Sequence, residues 1–373
     1  MQLLDSLPKR IPNTATEQLL STFEDIACKV EIKSNFSIHH KDYQALEFPG
    51  DVVNRLLQMP PLIQNQFLNS QLCYFLYGIY YNGNLQTSLA ANKTPVSQSL
   101  SQKLENNTFL GIDLNFYEKL HANNLGQGYL DPGWRVLKKE QDGSIVVKQD
   151  ELTLYIEPAK HLLSTEQSPS VGDFVAIRMP RNLVQNGFYM AVSNVGAHHQ
   201  TNSDLKPQIV RFYFHLSPEG AVAVMSSLTR QLNDLNIPFA FKALYNPSDY
   251  LRYDSAVLYF EKSQYEIVSS VLQKVYQQNQ AHFRSEVPLF TKLMAPGLAL
   301  AEEPNQPFVA QESFGLNRCR LVANGLLEAW QQENTSTEEC IDYIIKQFSL
   351  SGIDLESPYL NADSEDIYTP LNL

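Results

Sequence analysis

Four cysteines in 373 residues, at positions 28, 73, 319 and 340, form no CxxC pair. That spacing argues against a zinc ribbon, and reduced thiols in a cytoplasmic protein are the expectation. Positive charge is scarce as well. Twenty-eight Lys and Arg stand against 40 Asp and Glu, a formal net charge of −12. This balance argues against a nucleic-acid groove or an anionic membrane as the main partner, although a local basic pocket can still be built into an acidic chain. No apolar run approaches the roughly 18 residues of a transmembrane helix. The opening MQLLDSLPKRIPN lacks the continuous apolar stretch of a signal peptide. A Walker loop, a GxSxG elbow and an HExxH pair are all missing, and no internal repeat is visible.

What is present is a globular composition, 43% hydrophobic and 18% charged, enough for two domains or one with an extension. Helical spacing runs over residues 16–30, 62–81 and 110–120, with a short extended pair over 36–48. The polar stretch 85–107 reads as a loop. The first 124 residues therefore read as mainly helical. The period then changes. Residues 134–139 and 144–148 flank Asp142–Gly143, a hairpin signal, and 151–156, 174–178 and 187–192 continue as strands. A strand-helix-strand-strand unit occupies 209–260. Helices follow over 263–283, 317–332 and 337–348, the last with Ser336 and Glu339 placed as a capping box. The acidic tail from Ser351 is expected to be loosely held. His198 and His199 share a polar loop without a third ligand at readable spacing, so no metal site is predicted.

The chemistry resides in a cationic set: Arg178, Arg181, Lys242, Arg252, Arg318 and Arg320, with His215. Any one arginine is ordinarily a solvated partner of some carboxylate. Several converging at strand ends suit a phosphate, which guanidinium groups grip in a bidentate fork. In YFHLS, Tyr213, His215 and Ser217 share one strand face, and Phe212, Phe214 and Leu216 the other. Three polar groups in line suit a wet cleft; a buried, hydrogen-bonded histidine is the alternative.

The runs GFYMAV, VRFYFHLSPEGAVAVMSSLTRQLNDLNIPFAFKAL, DSAVLYF, PLFTKLMAPGLALAEEP and ESFGLNRCRLVANGL occur in that order. Over about residues 134–330 they resemble the HopA-type effector family. Its members occur as bacterial type III effectors and as the lyase component of class V lanthipeptide and thioamitide-type peptide biosynthesis. The family is distantly similar to the phosphothreonine lyases, which eliminate phosphate from phosphothreonine or phosphoserine. With this resemblance the expected fold is α+β. A mainly helical domain (1–124) precedes a lyase-like domain (125–335), whose mixed or antiparallel sheet is flanked by helices. A C-terminal helix and acidic tail (336–373) complete it.

The resemblance also implies roles. A Lys-x-His strand in those lyases pairs a general base with a general acid; His215 matches the acid, and Tyr213 stands where the base would be. Lys242, Arg252 and Tyr259 resemble the later residues that hold phosphate and substrate backbone. Arg318 or Arg320 resembles a C-terminal arginine, with Arg178 and Tyr189 added as candidate contacts. Without a lysine at 213 the base is Lys242, or a deprotonated Tyr213 whose pKa, about 10 unperturbed, cations would have to lower. No metal or organic cofactor is required. The implied partners are a phosphorylated precursor peptide and a Ser/Thr kinase, not nucleic acid or membrane. The competing expectation is a catalytically inactive scaffold that captures a phosphopeptide, a leader peptide or a kinase, or an effector-type interaction protein.

Overall fold

The computed structural model describes residues 14–90, 108–109, 111–165, 168–197, 207–309, 312–334 and 336–373. Helix α1 (Thr14–Lys29), the hairpin β1 (Val30–Ile32) and β2 (Ile38–His40), α2 (Gly50–Leu57) and α3 (Pro61–Leu76) come first. Helix α3 widens into a π-helical turn at Tyr77–Tyr81. The short pair β3 (Thr108–Phe109) and β4 (Ile112–Asp113) leads into α4 (Leu114–Asn123). Strands β5 (Tyr129–Lys139), β6 (Ile145–Gln149) and β7 (Leu152–Ile156), a single helical turn α5 (Pro158–His161), and β8 (Phe174–Met179) follow. The second half runs β9 (Asn182–Gln185), β10 (Phe188–Val192), β11 (Ile209–Phe214), α6 (Pro218–Asp234), β12 (Ala240–Leu244) and β13 (Ala256–Glu261). It ends with α7 (Tyr265–Asn279), β14 (Lys292–Ala295), β15 (Leu298–Glu302), α8 (Phe314–Gln331) and α9 (Thr337–Leu350).

Two antiparallel sheets organise these elements, so the α+β class holds. The larger has the order β14-β15-β11-β13-β12-β10-β9, and the smaller β7-β6-β5-β8. In the larger sheet the register places Arg211 opposite Tyr259, Tyr213 opposite Val257, and Lys242 opposite both Val257 and Met190. Directly opposed residues share a face. One face therefore carries Arg211, Tyr213, Tyr259 and Lys242. The other carries Val210, Phe212, Phe214, Phe241 and Phe260, all buried.

The cap chemistry explains where the helices begin. Ser217 accepts from Gly220 N at 3.0 Å, and Pro218 occupies the first turn of α6. Ser336 accepts from Glu339 N at 3.3 Å to start α9. Helix α6 buries Ala221, Val224, Met225, Leu228 and Leu232, a 3.6-period stripe against the apolar sheet face. The polar face is covered at one end by the π-turn and α8: Tyr213 meets the ring of Tyr81 at 6.4 Å and that of Phe314 at 6.3 Å. Phe23, Leu72 and Phe116 belong to the same buried cluster as Phe212 and Phe348. The smaller sheet has a core of its own around Trp134, Val147, Ile156 and Ile177.

The tail beyond Ser351 is not loose. It wraps the β14 edge, with Leu371 N bonded to Met294 O at 2.9 Å. Buried Glu302 accepts from Tyr368 Oη at 2.8 Å, Ser364 Oγ at 2.7 Å and Asn361 N at 2.9 Å. Its acidity misleads because Lys262 and Lys292, on the sheet and its margin, meet it.

Candidate functional site

The polar face builds an alternating stack of cations and rings across four strands. The Arg211 guanidinium lies 5.0 Å from the centre of the Tyr259 ring. Lys242 Nζ lies 5.2 Å from the same ring and 4.5 Å from that of Phe188. The Arg252 guanidinium lies 5.6 Å from Phe188. Alternation along β11, β12 and β13 delivers three of these groups, and the loop before β13 delivers Arg252.

The three cations are not equivalent. Arg211 is ion-paired with Glu303. Arg252 is held in a bidentate fork by Asp254, with both bonds at 2.9 Å. Among the described residues, Lys242 has no carboxylate at ion-pair distance and one hydrogen bond, to the amide oxygen of Gln185 at 3.5 Å. Two rings give it about 1–2 kcal/mol of cation–π attraction in total. An anion about 4 Å away would give about 4 kcal/mol per unit charge at an effective dielectric near 20. The half-buried ammonium is thus the point of this surface best suited to an anion.

Asp254 is the anchor behind it. The carboxylate, 4% exposed, also accepts from Tyr77 Oη at 3.1 Å and Asn82 Nδ2 at 3.3 Å. Burial pushes its pKa up, but Arg252 above all, with Lys242 and Tyr77, holds it below the ordinary carboxylate value. The π-turn is what brings Tyr77 and Asn82 to it.

His215 follows β11 on the same side. It is 2% exposed, so the wet cleft expected of YFHLS is closed here. Nδ1 donates to Glu286 O at 3.1 Å, which leaves the lone pair of the neutral ring on Nε2; Nε2 is buried without a hydrogen-bond partner among the described residues. Tyr253 packs its ring 5.3 Å from the imidazole. Burial lowers the His215 pKa; Arg284 adds to this, and Glu286 and Asp254 oppose it. Tyr213 is 2% exposed, and its hydroxyl lies beside Tyr81 and Arg211 without the geometry of a hydrogen bond. Burial pushes its pKa up to about 12. The arginine beside it does not offset that, so a deprotonated Tyr213 does not fit as the base.

Of the residues singled out in the sequence, Lys242, Arg252, Tyr259, Tyr213 and His215 come to one side of the sheet. The others do not. Tyr189 points to the opposite face, where its hydroxyl meets His121 Nδ1 at 3.1 Å and Asn124 Nδ2 at 3.0 Å. Arg318 is 2% exposed and spends its guanidinium on Pro358 O at 2.8 Å and Leu360 O at 2.7 Å, pinning the C-terminal segment. Burial lowers its pKa to about 10. Arg320 joins Glu312 at 2.7 Å and Asn69 at 3.0 Å, tying α8 to α3. Arg178 lies exposed on β8 of the smaller sheet. Arg181 donates to Asn124 O at 2.9 Å at the junction between the sheets. Of the arginines expected to hold the phosphate (Arg178, Arg252, Arg318 and Arg320), Arg252 alone joins the stack. Arg211, Asp254 and Phe188 complete it, and none of the three stood out in the sequence. Arg211 alternates with Tyr213 and was open to the same period-two argument. His198 and His199 lie outside the described residues.

Residues 179–360 match the model of the HopA1 effector protein family. The match runs from the end of β8 to the C-terminal wrap. Two solved structures are similar to the chain: the effector protein from Pseudomonas syringae pv. syringae strain 61 and that from Pseudomonas syringae pv. tomato strain DC3000. The first is 14% identical with a TM-score of 0.40, covering 67% of this chain and 81% of the other. The second is 15% identical with a TM-score of 0.37, covering 66% and 80%. No curated protein matches the chain. Among the described residues, no helix is long and apolar enough to cross a membrane.

Proposed function

We propose that the polar sheet face receives a phosphorylated Ser or Thr side chain of a peptide and eliminates its phosphate, leaving a dehydroamino acid. The observation that carries this reading is the state of Lys242, the one cation of the stack without an ion pair among the described residues. Lys242, which meets the phosphate as the ammonium, loses one proton to solvent and then takes the Cα proton. The Cα electron pair forms the Cα–Cβ double bond and the Cβ–O bond breaks. Arg252 stabilises the departing phosphate through Nη1, which its fork with Asp254 does not use, and His215 protonates the bridging oxygen. A neutral imidazole is a poor acid, but a phosphate dianion beside Nε2 raises the histidine's pKa by opposite charge. For Nε2 to reach substrate, the Tyr253 ring must move aside. The kinase partner supplies the phosphate. Positioned acid and base groups are each worth roughly 10²–10⁴ in rate.

A second reading rests on the closure of His215: the same face binds the phosphopeptide and turns nothing over. Mass spectrometry of a phosphoserine peptide incubated with the protein separates the two. Loss of one phosphoric acid, reduced at least about 100-fold by Lys242→Ala, supports elimination. An unchanged peptide that nonetheless binds leaves only the scaffold. Phosphate release with the hydroxyl restored contradicts both.

A further inference from the structure

The smaller sheet presents a second surface unrelated to the stack around Lys242, and almost all of it lies before residue 179, where the family match begins. Its inner side is a closed apolar core. Its outer side is not what an ordinary solvated sheet shows. Register sets Phe174, Arg135, Lys148 and Thr153 in one row across β8, β5, β6 and β7. Arg178 stands opposite Leu130 further along β8. Tyr155 shares the face through Val146 and Lys138.

Three features single this face out. Phe174 and Tyr155 are 72% and 73% exposed, although large rings normally find cover. Arg135, Lys148 and Arg178 are exposed and have no described ion pair, whereas Lys138 is neutralised by Glu140 at 2.9 Å. No carboxylate occupies a position in these rows, in a molecule of net charge −12. The face is also held firmly. Asn124 Nδ2 donates to Arg181 O and Arg181 Nη1 to Asn124 O, both at 2.9 Å, clamping the two connections to the larger sheet.

We infer that this face is a docking surface for an acidic, extended peptide segment carrying apolar residues. Charge complementarity chooses the occupant. Three unpaired cations match a few carboxylates, and the rings with Leu130 match the apolar side chains between them. Strand neighbours are about 4.8 Å apart, so Arg135 and Lys148 reach carboxylates of one segment together. A single-stranded nucleic acid would also stack on exposed rings. However, it brings a long row of phosphates towards a strongly acidic molecule, and this face has only three cations without an ion pair among the described residues.

The test is fluorescence anisotropy with the full chain and a short labelled peptide containing several Glu and Leu. The expected result is binding that weakens with salt and falls at least about tenfold, equivalent to about 1.4 kcal/mol, in R135E/K148E. The first variant changes only exposed side chains, and far-UV circular dichroism checks its fold. Phe174→Ala provides a second, charge-neutral variant and should also weaken binding. The inference is overturned if the wild type does not bind the peptide, or if R135E/K148E binds it equally. It also fails if Lys242→Ala abolishes binding, which moves the contact to the larger sheet. Tighter competition by single-stranded DNA of equal length reassigns the face to nucleic acid.

Discussion

Asp254 and Arg252 face each other across two parallel bonds with little water around them, so neither charge is tolerable alone. Replacing Asp254 by Asn keeps the shape and strands the guanidinium. A loss of about 3 kcal/mol is expected, read as a lower urea midpoint with an unchanged slope. Lys242→Ala should cost about 1–2 kcal/mol in the same experiment, less than Asp254→Asn, because it breaks no direct ion pair. His215 has a pH signature. Its folded pKa lies below its unfolded value, so the unfolded chain binds more protons as pH falls through about 6.5. Stability is fully present above that value and declines below it. His215→Gln should therefore flatten part of the fall in Tm between about pH 7 and pH 5. His40 and His121, also lowered by burial, account for another part.

Among the elements, the segment from Gln280 to Gly297, which includes β14, positions His215 from outside β11. His215 N donates to Gly297 O at 2.8 Å, and Arg284 N donates to His215 O at 2.9 Å. Gly297 has φ +71° and no room for a Cβ against the Arg284 carbonyl. Gly297→Ala should cost on the order of 1–3 kcal/mol, seen as a lower Tm, and should disturb the histidine before it disturbs the distant smaller sheet. Strand and helix identities were largely legible in the sequence. Period-two alternation exposed β11, β12 and β13, Asp-Gly exposed the β5–β6 hairpin, and Ser336 with Glu339 exposed the start of α9. Partner choice was not legible. Arg318 reads like any arginine on a helix until the chain 40 residues later returns two carbonyls to it. Asp254 sits in a loop, and only the π-turn 170 residues earlier supplies Tyr77 and Asn82 to it. Local pattern specifies which way a side chain points; tertiary pairing decides whether its charge is spent.

For the molecule as a whole, the C-terminal segment acts as a brace on the larger sheet. Removing residues 351–373 would bare the β14 edge, leave Glu302 buried with fewer donors and deprive Arg318 of both carbonyls. Charge-assisted bonds contribute about 1.5–3 kcal/mol each, so a truncated chain should unfold at markedly lower urea and aggregate through the open edge. The net charge of −12 adds a second whole-molecule constraint: anions are repelled at long range and accepted only where a cation is unspent. On the larger sheet that place is Lys242. Isothermal titration with a phosphoserine peptide and its unphosphorylated twin, on the wild type and Lys242→Ala, tests this most directly. The wild type should prefer the phosphorylated peptide by at least about tenfold, and the variant should lose that preference. Equal affinity of the wild type for both peptides would contradict the assignment.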